Sequence, residues 1–148
     1  MERERHPNPW EAWRTRLVDV VPHEDVFGTV ARVLRDDGKV QTTLHPDFRL
    51  ELFRDESEGY FLNLSSGAPV WFVMWRIDDE DPSRAWPEMV SLSYTEAGRW
   101  LDAQERVDNV PLQRDLVDWL QAYTDANYQP EPKQRRRPQS FLEPGQRR

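Results

Sequence analysis

Apolar and polar positions alternate along this chain in short runs, the period-2 pattern of strands, until about residue 94. Only then do they take the three-to-four-residue spacing of helices. Residues 13–21 (WRTRLVDVV) alternate weakly until Pro22 stops them, and 26–34 (VFGTVARVL) fits a short helix or a strand. The DDG at 36–38 is a turn signal that sets this stretch apart from VQTTL at 40–44. In FRLELFR, 48–54, Phe48, Leu50 and Leu52 share one face; in YFLNL, 60–64, Tyr60, Leu62 and Leu64 do. After the turn SSGAP, 65–69, comes VWFVMWRI, 70–77, which is apolar on both faces. Loops of about five residues between these runs suggest an antiparallel meander in which 70–77 is the central strand.

MVSLSY, 89–94, alternates once more, and SYTE at 93–96 is a capping box, in which Ser93 accepts from the amide of Glu96 and Glu96 reaches back. The helix it opens carries Ala97, Trp100 and Leu101 on one face and ends near Gln104. Asn109-Val-Pro111 predicts the start of a second helix, with Leu112, Leu116, Trp119, Leu120 and Tyr123 in one stripe. Burying that stripe contributes on the order of 10 kcal/mol gross. Pro130 and Pro132 end it.

The expected fold is therefore α+β: about five or six antiparallel strands followed by two amphipathic helices and a disordered basic C-terminal tail. Residues 1–9 are charged and Pro-broken, a flexible lead-in; 10–128 form a single domain; 129–148 form the tail. Helices on one face of 70–77 and a curled-over N-terminal half on the other would explain its apolar character. Trp71, Trp75, Trp100 and Trp119 then belong to the core.

Length and composition agree with one domain: 148 residues can bury about 70% of their unfolded surface. The absence of Cys removes disulfides, thiolate metal sites and a Cys nucleophile. No signal peptide and no run of 18 apolar residues is visible, so the expected location is the cytoplasm, with no membrane partner. Charge changes the picture more. Residues 133–148 hold six Lys and Arg against Glu143, a net of +5; subtracted from the total of −7, this leaves −12 on the first 132 residues. An acidic body argues against nucleic acid as a partner.

The patterns that would carry catalysis are missing from the sequence. His6, His23 and His45 have no metal-ligand spacing, and there is no GxGxxG, GxxxxGK[ST] or GxSxG. A run of acids in a Pro-containing loop, Asp78, Asp79, Glu80 and Asp81, fits a surface for a basic partner better than a pair of catalytic carboxylates. Trp10 and Trp13 in the N-terminal segment, and Trp86 before Pro87, are not demanded by the core and fit apolar anchors at an interface. The basic run Lys133, Arg135, Arg136 and Arg137 suits an acidic patch or a pyrophosphate. No enzyme and no bound cofactor follow from these residues.

Taken together, NPW near the start, LELFRDESEGYFLNLSS, APVWFVMWR and SLSYTEAGRWLDAQERVDNVPLQRDLVDWLQAYTDANY resemble the uncharacterised bacterial family catalogued as domain of unknown function 3305, over roughly residues 7–141. The resemblance implies a gene neighbourhood with molybdenum-dependent formate dehydrogenase and often a second small protein. It implies a non-enzymatic accessory role in maturation, assembly or regulation of that enzyme through protein–protein binding, with an enzyme subunit or the co-encoded protein as partner. The alternative is a factor that binds or transfers molybdopterin guanine dinucleotide. A nucleotidyltransferase making that cofactor would need a Gly-rich phosphate loop, and residues 1–38 offer only Gly28 and Gly38. Where members often carry a His pair, this chain has Asn127-Tyr128, so no role of those histidines transfers. A third arrangement, in which an uncovered face of 70–77 closes a dimer, is also open.

Overall fold

The computed structural model describes residues 1–8 and 11–130. Trp10 and the basic run at 133–137 lie outside the described residues, as does most of the expected tail. The described residues form two antiparallel sheets and three α-helices. Strands β1 (Glu2–Asn8), β2 (Glu11–Arg16), β3 (Arg32–Asp36) and β4 (Val40–Leu44) make a four-stranded sheet in the order β2-β1-β4-β3. Strands β5 (Val70–Ile77), β6 (Ala85–Ser91) and β7 (Arg106–Pro111) make a three-stranded sheet in the order β6-β5-β7. Helices α1 (Ser57–Ser65), α2 (Tyr94–Asp102) and α3 (Arg114–Asn127) are interleaved with the second sheet. No helix among the described residues is long and apolar enough to cross a membrane.

The α+β class, the antiparallel pairing and the central position of 70–77 agree with the sequence. Several elements do not. Residues 48–53 form no strand, and 60–64 lie inside α1. The alternation of Tyr60, Leu62 and Leu64 misleads because the buried face of α1 is made by Ser57, Gly59, Tyr60 and Asn63, of which only Tyr60 is a large apolar residue. Leu62 is exposed. Residues 106–111 are β7, not a helix start, and α3 begins at Arg114. Trp119 lies 45% exposed, so the expected α3 stripe reduces to Leu116, Leu120 and Tyr123. Three helices and seven strands replace two and five or six. Residues 2–8, expected to be flexible, pair with β2 and β4.

That N-terminal pairing has a local cause. Glu2, Arg3, Glu4 and Arg5 alternate charge, and the register sets Glu2 opposite Arg16, Glu4 opposite Arg14 and Arg5 opposite Trp13. Glu2 accepts from Arg16 at 2.9 Å, and the Arg3 guanidinium stacks 4.6 Å above the Trp13 ring. Cross-strand pairs of this kind stabilise a sheet by tenths of a kcal/mol to about 1 kcal/mol each.

The core belongs to the second sheet. Residues Trp71 to Trp75 are buried without interruption. Cross-strand partners share a face, so Trp71 with Val110, and Val73 with Val90 and Asp108, look one way; Phe72 with Asn109, and Met74 with Val107, look the other. On the second face α2 supplies Ala97 and Trp100. On the first, Trp71 packs in a cluster with Tyr60 of α1, Leu120 of α3, Leu92, Val110 and Leu112, against which Leu17, Val20, Leu50 and Leu52 also lie. Protein therefore covers both faces of β5, with the helices divided between them. Side chains lock the layers. Asn63, fully buried, accepts from Val70 N and donates to Val70 O and Leu92 O. Ser93 caps α2 by accepting from Glu96 N, while Glu96 receives a bond from Ser91 Oγ rather than reaching back to Ser93 N. Ser93 N donates instead to Ser91 Oγ, so the box is closed through one extra residue.

Candidate functional site: the cleft between the sheets

The two sheets meet along β1, β4 and the hairpin that joins β5 to β6. Arg3 of β1 is the hinge of this joint. Its Nη1 donates to Ser83 O at 2.7 Å, and its guanidinium lies over Trp13. Deeper in, Leu17 N donates to Asp108 Oδ2, and Gln113 joins Trp71 Nε1 on one side to Val20 O on the other. These bonds tie Arg3, Leu17 and Val20 to the β5–β6 hairpin, to Asp108 of β7 and, through Gln113, to β5.

The hairpin itself is built by its acids. Asp78 Oδ1 accepts from Glu80 N and Asp81 N, and Asp81 Oδ1 accepts from Ser83 N at 3.1 Å and Ser83 Oγ at 2.6 Å. Backbone bonds between Asp78 N and Arg84 O and between Arg84 N and Asp81 O close the loop. The bonds from Ser83 hold the Asp81 carboxyl below its usual range. So two of the four acids read from the sequence make the turn, and Asp79 and Glu80 are left exposed at its tip. Trp86 stands at the foot of the hairpin within β6, half-buried, its Nε1 donating to Glu88 Oε2 at 2.9 Å.

The structure thus brings together Trp13, the acids 78–81 and Trp86, through Arg3 and Ser83. It also places beside them residues that the sequence did not single out for function. One cavity of about 340 Å³ is lined by Arg3, Thr15, Gln41, Thr43, Arg84 and Trp86, among others. A second, of about 140 Å³, lies against Val73 and Val90 of the second sheet and is closed by Leu17, Val20, Phe27 and Leu44. His45 lines both. Burial, helped by the nearby N-terminal ammonium, pushes His45 down to about 4, so its ring is neutral at pH 7. The only sequence signals for these residues were the alternating charges at 2–5 and the alternation of 40–44, and neither points to a cleft. Among the described residues no three His, Asp or Glu converge as a metal site.

A family model described as "Protein of unknown function (DUF3305)" matches residues 1–137 of the chain. No curated protein and no solved structure matches it.

Proposed function

Because the chain belongs to the DUF3305 family, we propose that it is a non-enzymatic accessory protein that binds another protein, and that this partner is a subunit of a molybdenum-dependent formate dehydrogenase or a small protein encoded beside it. The observation that carries the reading is the β5–β6 hairpin. Its exposed carboxylates, Asp79 and Glu80, sit on a loop already fixed by six hydrogen bonds from side chains and backbone within 78–84. A preformed loop loses little conformational freedom on docking. Acids at the tip raise the rate of encounter with a basic surface, and Trp86 at the foot offers an apolar anchor. In this reading the run 133–137 reaches an acidic patch on the same partner.

The test is affinity capture of the tagged chain from cells co-expressing the formate dehydrogenase subunits and the small protein encoded beside them, quantified by mass spectrometry. Asp79→Lys with Glu80→Lys reverses the charge of the tip while leaving Asp78 and Asp81 to build the turn. Enrichment of a dehydrogenase subunit or of that small protein, lost in this variant and weakened without 129–148, is the expected result. Equal capture by the variant at low salt would remove the hairpin from the interface, and no capture by either would sink the reading.

A further inference from the structure

The two cavities at the joint of the sheets adjoin, sharing Met1, Thr43 and His45 in their walls. Their chemistries differ. The inner one is mostly aliphatic, and its volume of about 140 Å³ is close to that of apolar cavities that take up a single benzene ring. The outer one has hydroxyl and amide groups from Thr15, Gln41 and Thr43, cations from Arg3 and Arg84, and the Trp86 indole.

Arg3 is the telling residue. One of its terminal nitrogens serves Ser83 O, yet its Nε is buried and has no hydrogen-bond partner among the described residues. Buried donors in native proteins are nearly always matched, by protein, water or a bound group. The carboxylates around it are committed elsewhere: Glu2 to Arg16, Asp36 to Gly38 N and Gln41 Nε2, and Asp81 to Ser83. The inner wall carries Asp19 and Asp47 and no Lys or Arg, whereas the outer wall sets Arg3 and Arg84 against Glu2 alone, which directs negative charge to the outer chamber. His45, neutral at pH 7, divides the two without adding charge.

We propose that this cleft binds a small amphipathic oxyanion, with a body about the size of one ring in the inner chamber and a phosphate or carboxylate head on Arg3 and Arg84. Arg forks suit such heads because parallel N–H groups match their oxygens. The site shares Trp86 with the proposed docking surface but not Asp79 or Glu80, so the Asp79→Lys, Glu80→Lys variant retains it.

The experiment uses the full chain and follows the Trp86 indole resonance by NMR, assigned with Trp86→Phe. Four probes are titrated: phenyl phosphate, benzoate, inorganic phosphate and benzyl alcohol. Phenyl phosphate or benzoate is expected to shift the resonance saturably below about 10 mM, the range of fragment affinities. Either should bind about tenfold tighter than inorganic phosphate, which lacks the body, and than benzyl alcohol, which lacks the charge. Whichever of the two aryl anions binds tighter identifies the head. Arg3→Lys keeps the charge and loses the fork, and weakens binding about tenfold. Exposed Arg84→Gln weakens it several-fold with an unchanged thermal midpoint, which separates loss of binding from loss of the joint. Benzyl alcohol binding as well as the anions, no saturable shift with any probe, or anion affinity unaffected by both Arg variants would each overturn the proposal.

Discussion

The two sheets are held by different physics. Every residue from 1–5 and 13–130 that is fully buried lies between Ser57 and Thr124, in the second sheet, its helices and their connections; residues 1–5 and 13–56 contribute none. β5 is buried along five consecutive residues, whereas all five residues of β3 are exposed and all five of β4 are only half-buried. The second sheet is a packed core, where each buried side chain contributes kcal/mol-scale stability. The first is a hydrogen-bonded ribbon edged with ion pairs such as Glu2–Arg16 and Arg35–Asp37, which contribute little when exposed. It keeps its place through a few contacts, Arg3 to Ser83, Leu17 to Asp108 and Val20 to Gln113. A strand ladder can thus persist without a core of its own when a neighbour supplies one.

The sharpest way to break this contrast is in the core. Leu120→Ala, at a fully buried position, is expected to cost about 3 kcal/mol by chemical denaturation, and Asn63→Ala a similar amount, because it strands the Val70 and Leu92 backbone groups that Asn63 serves. A cost under about 1 kcal/mol for both would show that the core is not where stability resides. Next comes Gly59→Ala. A Cβ there runs into the Ser93 side chain that caps α2, and the expected loss is about 2 kcal/mol. An unchanged denaturation midpoint would mean that α1 and α2 are not tightly packed.

At the joint the effect is smaller and depends on pH. His45 is held down to about 4, below its unfolded value near 6.5, so the unfolded chain binds the proton more readily between these values. Stability is therefore full above pH 6.5 and falls as the solution is acidified toward pH 4, by about 1 kcal/mol after allowing for the partly open setting. Comparing thermal midpoints at pH 7 and pH 5 for the native chain and His45→Gln isolates this effect, since the variant should lose that part of the slope. The smallest change belongs to the ribbon. Val33→Thr on β3, 51% exposed, is expected to alter stability by less than about 0.5 kcal/mol. A loss as large as that of Leu120→Ala would erase the distinction between the sheets.

The core was largely legible in the sequence, and the site largely was not. VWFVMWRI announced a strand covered on both sides because six apolar residues in a row admit no wet face. Ser93-x-x-Glu96 located the N-terminus of α2, since capping chemistry is local. α1 escaped because its buried face uses Gly59 and Asn63, chosen for close approach and for hydrogen bonding rather than hydrophobicity. β7 escaped because Pro111 reads as the first residue of a helix, while its neighbours Val107 and Val110 face opposite sides of the sheet. The acids at 78–81 were visible as a cluster, but that Asp78 and Asp81 turn inward to their own loop required the hairpin geometry. Arg3, Gln41 and His45 come together only through the pairing of β1 with β4 and the docking of that ribbon on the hairpin. No local pattern encodes a contact eighty residues apart, such as Arg3 with Ser83.

The confinement of the core to residues 57–124 also has a consequence for how the chain is made. A ribosome delivers the ribbon first, at about 5–20 residues per second, and for several seconds the emerged segment has no surface on which to settle. Its charged strand edges and exposed valines must remain dispersed during that interval, which favours sequences such as ERER and RVLRD over more apolar ones. Lasting structure then spreads backward along the message, from the last helix to the first strand. A nascent chain stalled before Leu120 should remain open to protease from end to end.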